Sequence, residues 1–206
     1  MPEQERVQER VQEQISYMGV LTGEKVRLSG MRPDDAPTFM KFFENEDYAR
    51  YLSVGPIVPE SEKELREWID EQHKSNKSCN FAVRKLDDNA LVGHVVLMDI
   101  QWTHRASTLA IAIGKEHQGN GYGRETMELV LRFAFHEFNM FRVQLYVFSY
   151  NTSAIALYES IGFVREGNLR QTLQRDGRRY DVYVYGILSD EWAEARKDVL
   201  PPPLGS

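Results

Sequence analysis

The stretch from Ala110 to Arg124 constrains the fold of this 206-residue chain more than any other. A strand, Ala110-Ile111-Ala112-Ile113, leads into the turn Gln118-Gly119-Asn120-Gly121-Tyr122-Gly123, and a strongly periodic helix follows. At such a junction the first backbone N–H groups of the helix have no internal partner. Together with the positive end of the helix dipole they favour a phosphate. Gly119, Gly121 and Gly123 let a bulky pyrophosphate approach the backbone without Cβ clashes, and Arg124 adds charge to the same place. No Gly-Lys-Ser/Thr follows, so the turn is not a P-loop. The glycines are spaced Gly-x-Gly-x-Gly, which also fails the dinucleotide pattern. A plain tight turn is the alternative reading of the same residues.

The flanking pattern places this junction in a mixed α/β domain. Val26 to Leu28, Asn80 to Arg84, Leu91 to Ile100 and Thr108 to Ile113 read as strands, with Asp87-Asp88-Asn89 forming a hairpin turn. Pro33 to Asn45 reads as one helix, with Pro33 in its first turn. Ser61-Glu62-Lys63-Glu64 is a capping box that starts a helix running to about Lys74. Beyond the glycine turn, Met127, Val130, Leu131, Ala134, Phe135 and Phe138 share one helical face. Phe141 to Val147 is a buried strand, Asn151 caps a helix, and Gly162 ends it. Phe163 to Arg170 and Arg179 to Ile187 pair across Arg175-Asp176-Gly177. The order is antiparallel first, then β-α-β-α-β.

Three units are expected: a helical extension over 1–20, a folded domain over 21–197 and a flexible tail over 198–206. In the extension Val7, Val11 and Ile15 form one stripe that docks on the domain, joins a second copy or frays. The residues 1–14 are charged and lack the apolar core of a secretory signal. No run approaches ~20 apolar residues, which argues against a membrane span. A net charge of −6 disfavours nucleic acid as the main ligand. Cys79 is the single cysteine, which fits a reducing, cytoplasmic compartment.

Gln118-x-x-Gly121-x-Gly123 resembles the acetyl-coenzyme A motif of the GCN5-related N-acetyltransferases (GNAT). Asn151-x-x-Ala154-x-x-Leu157-Tyr158-Glu159-x-x-Gly162-Phe163 resembles the second block of that family. Glu166-Gly167-x-Leu169-Arg170, Gly177-Arg178, Asp181 and Tyr185, with Arg50-Tyr51-Leu52 and Trp68-Ile69, are similar to the branch that acetylates ribosomal-protein N-termini. The resemblance implies a single, mostly antiparallel sheet of about seven strands, helices on both faces, and two splayed central parallel strands. It implies acetyl-CoA as co-substrate and no metal. Ile111 and Ile113 are expected to offer backbone hydrogen bonds to the pantetheine arm, and an N–H near Ile111 or Ala112 to stabilise the oxyanion. The backbone from Gly119 to Arg124, through Asn120 and Tyr122, is expected to hold the pyrophosphate. Gln118, Asn151 and Ala154 complete the coenzyme set.

Tyr158 is expected to protonate the leaving thiolate; the alternative is a core aromatic on an amphipathic helix. Many relatives carry a Glu base where Thr108 stands here, so Asp99 is the nearest base candidate, with an exposed strand-end charge or a water chain as alternatives. The five histidines lack metal-ligand spacing. The expected acceptor is a primary amine: first a protein N-terminus, otherwise a polyamine or an amino sugar. Its choice is expected to rest on residues 31–58 and 170–180. A coenzyme-binding module without catalysis is the reading from another class, favoured by Thr108 and opposed by Tyr158. A homodimer is left open.

Overall fold

The structure, a computed structural model, describes residues 19–196 apart from 53, 56–57, 59–60 and 73–75. The stripe Val7, Val11, Ile15, the tail over 198–206 and His73 lie outside the described residues. Seven strands form one sheet: β1 (Val26–Ser29), β2 (Cys79–Lys85), β3 (Leu91–Gln101), β4 (Ala106–Ile113), β5 (Arg142–Phe148), β6 (Val164–Arg175) and β7 (Arg178–Leu188). Their order is β1-β2-β3-β4-β5-β7-β6, and only β4 and β5 run parallel. This is the mixed, mostly antiparallel sheet expected from the sequence.

Helices cover both faces because alternate strand residues point to opposite sides. On one side α4 (Tyr122–Arg132), α5 (Thr152–Ile161) and α6 (Ser189–Glu194) close a core over Val83, Leu97, Leu109, Val143, Leu145 and Ile187. On the other side α1 (Ala36–Phe43), α2 (Glu46–Leu52) and α3 (Glu62–Gln72) bury Phe39, Phe42, Tyr48, Leu65 and Ile69 over Ala82 and Leu91. Neighbours along a strand therefore separate, Ala82 to one core and Phe81 and Val83 to the other.

Three expectations change. The single helix over 33–45 is a 3₁₀ turn, Pro33–Asp35, followed by α1, which ends at Phe43. Asn45 does not end that helix. Its side chain accepts the Tyr48 N–H at 3.1 Å and caps α2, with Glu46 and Asp47 in the first turn. Strand β6 runs to Arg175, five residues beyond the expected end. It does so by bulging around Gln171, whose φ is +54° and whose N–H donates to Asp181 at 2.8 Å. The short α6 was not foreseen; its Trp192 is buried against Phe135.

The α1–α3 layer is anchored by a buried ion pair. Arg84 of β2 donates to both Asp35 oxygens, at 2.7 and 2.8 Å, and both side chains are less than 10% exposed. Asp35 also accepts the Arg32 N–H at 2.8 Å. No helix among the described residues is long and apolar enough to cross a membrane.

Asp35→Ala would leave Arg84 buried and unpaired, which costs about 3–5 kcal/mol. For a chain of this size that is a fall of roughly 6–20 °C in melting temperature. Thermal unfolding should show this loss, and the double variant Asp35→Ala/Arg84→Met should recover part of it. An Asp35→Ala protein that melts like the parent would remove the pair as an anchor.

Candidate active site

Strands β4 and β5 pair only at Ala106–Arg142, Ser107–Val143 and Thr108–Gln144, then separate. β4 stays on β3, and β5 stays on β7. A cleft of about 810 Å³ occupies the opening. Every residue from Thr108 to Ile113 lines it, as do Tyr146, Val147 and Phe148. Strand neighbours face opposite sides, so a cavity that touches all of them passes through the sheet.

The backbone of β4 is divided by the same alternation. The Gly114 N–H donates to Val92 of β3 at 2.9 Å, while the Ile113 carbonyl accepts the Gln118 side-chain amide at 3.0 Å on the other side. Ile113, and with it Ile111, therefore turns its backbone groups to the opening. The pairing of Ala112 with His94 puts the Ala112 N–H on β3. Ala112 lines the cleft, and the Ile111 N–H is the one that faces the opening.

The glycine turn is braced from behind. Asn120 donates its amide to the carbonyls of His117 and Gln118, at 3.1 and 3.2 Å, and Lys25 Nζ donates to the Asn120 carbonyl at 3.1 Å. The first helical bond of α4 is Glu125 N–H to the Gly121 carbonyl at 3.2 Å. The N–H groups of Tyr122, Gly123 and Arg124 thus have no helical partner. Gly119 and Gly121 hold φ of +80° and +84°, a region other residues enter at a cost. The Glu125 carboxylate, in the first turn of α4, points away from the cleft and accepts the N–H groups of Glu24, Lys25 (2.9 Å) and Val26 (2.8 Å). Donors free in front and carbonyls satisfied behind make an anion cradle that fits a pyrophosphate.

Asn151 caps α5 by accepting the Ala154 N–H at 3.3 Å. That sets Asn151, Ala154, Leu157 and Tyr158 along the cleft. Burial pushes the Tyr158 phenol up to about 12, so it keeps its proton. Beside it, Tyr185 donates to Glu159 at 2.7 Å and ties α5 to β7. Asp99 sits elsewhere. It occupies the irregular step of β3 between Met98 and Gln101, with φ of +52°, exposed, and it is not among the cleft-lining residues. The irregular step of the strand is the physical reason it is not brought to the cleft with the other named residues.

A family model described as an acetyltransferase (GNAT) domain matches residues 25–164. This chain belongs to the GNAT acetyltransferases. A spermidine N(1)-acetyltransferase of Vibrio cholerae is 35% identical over 133 residues, 65% of this chain and 76% of that one. A prophage-derived N-acetyltransferase of Bacillus subtilis is 29% identical over 172 residues, 83% and 94% of the two chains. The crystal structure of the Vibrio cholerae spermidine N-acetyltransferase with CoA and spermine superposes with a TM-score of 0.75 at 29% identity, covering 81% of this chain and 97% of that one.

As a GNAT domain the chain uses acetyl-CoA, and the cradle and the open β4 edge are the features that fit it. Of the coenzyme residues named from the sequence, the cleft gathers Ile111, Ala112, Ile113, Gln118, Gly119, Gly121, Tyr122, Gly123, Arg124, Asn151 and Ala154; Asn120 braces the turn from outside. Sequence reasoning missed Tyr48, Tyr146 and Phe148, which also line the cleft. The one available signal was that Arg142, Gln144 and Tyr146 alternate along a strand expected to be buried. Among the described residues no group of three or more His, Cys, Asp or Glu is placed to hold a metal.

Gly121→Ala places a Cβ 3.1 Å from Lys25 Nζ at a left-handed backbone position, a strain of about 1–2 kcal/mol. Relief by reshaping the turn should weaken CoA about tenfold, measured by titration calorimetry. Unchanged affinity would show that the turn does not carry the phosphates.

Proposed function

We propose that this GNAT enzyme acetylates a primary amine of a small polyamine of the spermidine type. The observation that carries this reading is the pairing of the coenzyme cleft with an acceptor side walled by aromatic rings: Tyr48, Tyr51, Tyr146 and Phe148. The exposed rings of Tyr51 and Tyr146 can attract ammonium groups, and the net charge of −6 favours cations at longer range. The relatives at 35% identity and at a TM-score of 0.75 are named for spermidine. This reverses the order expected from sequence, which put a protein N-terminus first. That second reading retains one observation in its favour. Among the described lining residues there is no carboxylate, and Leu52, Val54, Leu169 and Val182 make an apolar rim suited to an uncharged peptide. A Bacillus subtilis relative named for ribosomal N-acetylation is 30% identical over 107 residues, 52% of this chain.

The transfer is direct. The amine nitrogen attacks the thioester carbonyl carbon, and the C–S bond breaks. The Ile111 N–H stabilises the oxyanion. Tyr158 gives its proton to the sulfur, the nitrogen sheds one proton to water, and Tyr158 is reprotonated from solvent. A cytoplasmic setting belongs to the same reading, supported by the lone Cys79.

Release of CoA thiol should be fastest with polyamines in a panel that includes N-terminal peptides and amino sugars. Peptides outrunning spermidine would return the protein N-terminus to first place. Tyr158→Phe should lower kcat about 10²–10⁴-fold with CoA affinity unchanged. Because burial holds the phenol up to about 12, the acid stays protonated below that value, and kcat should not fall between pH 7 and 10. A fall in that window that disappears in Tyr158→Phe would place the phenol lower and remove it as the acid.

A further inference from the structure

The last parallel pair before the strands part, Thr108–Gln144, carries a polar set outside the coenzyme residues named above. Gln144 Nε2 donates to Thr108 Oγ1 at 3.3 Å and to the Tyr146 hydroxyl at 3.5 Å. The orientation of this amide is dictated by its other end. Gln144 Oε1 accepts from Arg142 Nη2 at 3.3 Å, and a guanidinium can only donate. Arg142 is fixed in turn by both oxygens of Glu166, which the guanidinium holds well below the usual carboxylate range. The NH₂ of Gln144 therefore faces Thr108 and Tyr146.

Thr108 and Tyr146 both line the cleft. Thr108 is 7% exposed, so its hydroxyl is held in place, and the Tyr146 ring is 50% exposed at the opening. Gln144 and Tyr146 stand opposite in the pleat to Leu145 and Val147, which pack in the core that contains Tyr158. The set thus meets the cleft from the α1–α3 side, across the sheet from the proton donor. Each hydroxyl accepts one amide N–H over a long bond and keeps a lone pair for a stronger donor.

We propose that Thr108 Oγ1 and the Tyr146 hydroxyl, oriented by Gln144, form the subsite that grips the two N–H groups of a primary amine and selects it over a secondary one. The proposal rests on the acetyltransferase reading. A neutral primary amine has two N–H donors and one lone pair. Two oxygen acceptors on one side hold both donors and leave the lone pair for the thioester carbon. A secondary amine has a single N–H, so one hydroxyl is left without its donor. Thr108 and Tyr146 contact the substrate; Gln144 acts through them and is a positioning residue.

The test compares a primary alkylamine with its N-methyl analogue by kcat/KM, in the parent and in Thr108→Val, Gln144→Leu and Tyr146→Phe. Thr108→Val keeps the shape and removes the acceptor. It should lower kcat/KM for the primary amine about tenfold, the size of one such hydrogen bond, and change the N-methyl amine less than threefold. Gln144→Leu should do the same, and Thr108→Val/Gln144→Leu should be no worse than either alone, since the two act as one unit. CoA affinity by calorimetry should not move. Equal losses for both amines, or additive losses in the double variant, would overturn the subsite. Tyr146→Phe, at a half-exposed position, keeps the test open if the buried variants unfold. If the parent acetylates neither amine while CoA binds, it is the acetyltransferase reading that fails, not the subsite alone.

Discussion

The parting of β4 and β5 is the constraint on which the rest of the molecule depends. A sheet interior normally satisfies every backbone N–H and C=O, and an unpaired buried one costs about as much as a lost hydrogen bond. Here the ladder stops at Thr108–Gln144 in the middle of the sheet. β4 is held to β3 as far as Ile113, and β5 to β7 as far as Phe148, so neither strand can swing to close the gap. The edge of β4 left open is an extended template, and an extended ligand with amide groups, such as a pantetheine arm, completes it.

The turn that follows solves a different problem with the same economy. Carbonyls near an anion repel it, so each must be turned away or neutralised. Asn120 and Lys25 take the carbonyls of His117, Gln118 and Asn120 from behind, and Gln118 takes that of Ile113 at the edge of the opening. Glu125 would repel a phosphate from the first turn of α4, yet its carboxylate is drawn off to three N–H groups at the start of β1. Gly23 has to be glycine for that contact, because a Cβ there would lie 2.3 Å from Glu125 Oε1. The first strand of the domain thus secures the glycine turn a hundred residues later.

How much of this was legible in sequence follows from the range of each signal. The strand-turn-helix form of the glycine segment, the Ser61 capping box and the Asn151 cap are local, and the structure has each of them. Asn45 was also local, but Glu46 and Asp47 after it look the same whether they close one helix or open the next. Glu125 reads as an ordinary surface acid, since its partners are a hundred residues away. The cleft end of β5 was hidden for another reason: Tyr146 sits between Leu145 and Val147, and the apolar residues of that pattern alone suffice to define a strand. Asp99 was named as the one carboxylate of the preceding strand, and the irregular step of β3 sets it at an exposed position outside the cleft lining, which a strand pattern does not foretell.

The two faces of the opening also bear on direct transfer as against a cysteine-borne acetyl-enzyme. A covalent route needs a nucleophile at the thioester. Cys79, the only cysteine in the chain, lies on β2, separated from β4 by β3, and burial pushes its thiol up to about 11. A thiol that stays protonated and is absent from the cleft-lining residues cannot serve. Tyr158 instead lines the opening from the α5 side, and Thr108 with Tyr146 from the α1–α3 side, so polar groups stand on both faces of the sheet. Leaving group and nucleophile can then be present together, one on each face, which is the arrangement a single displacement requires.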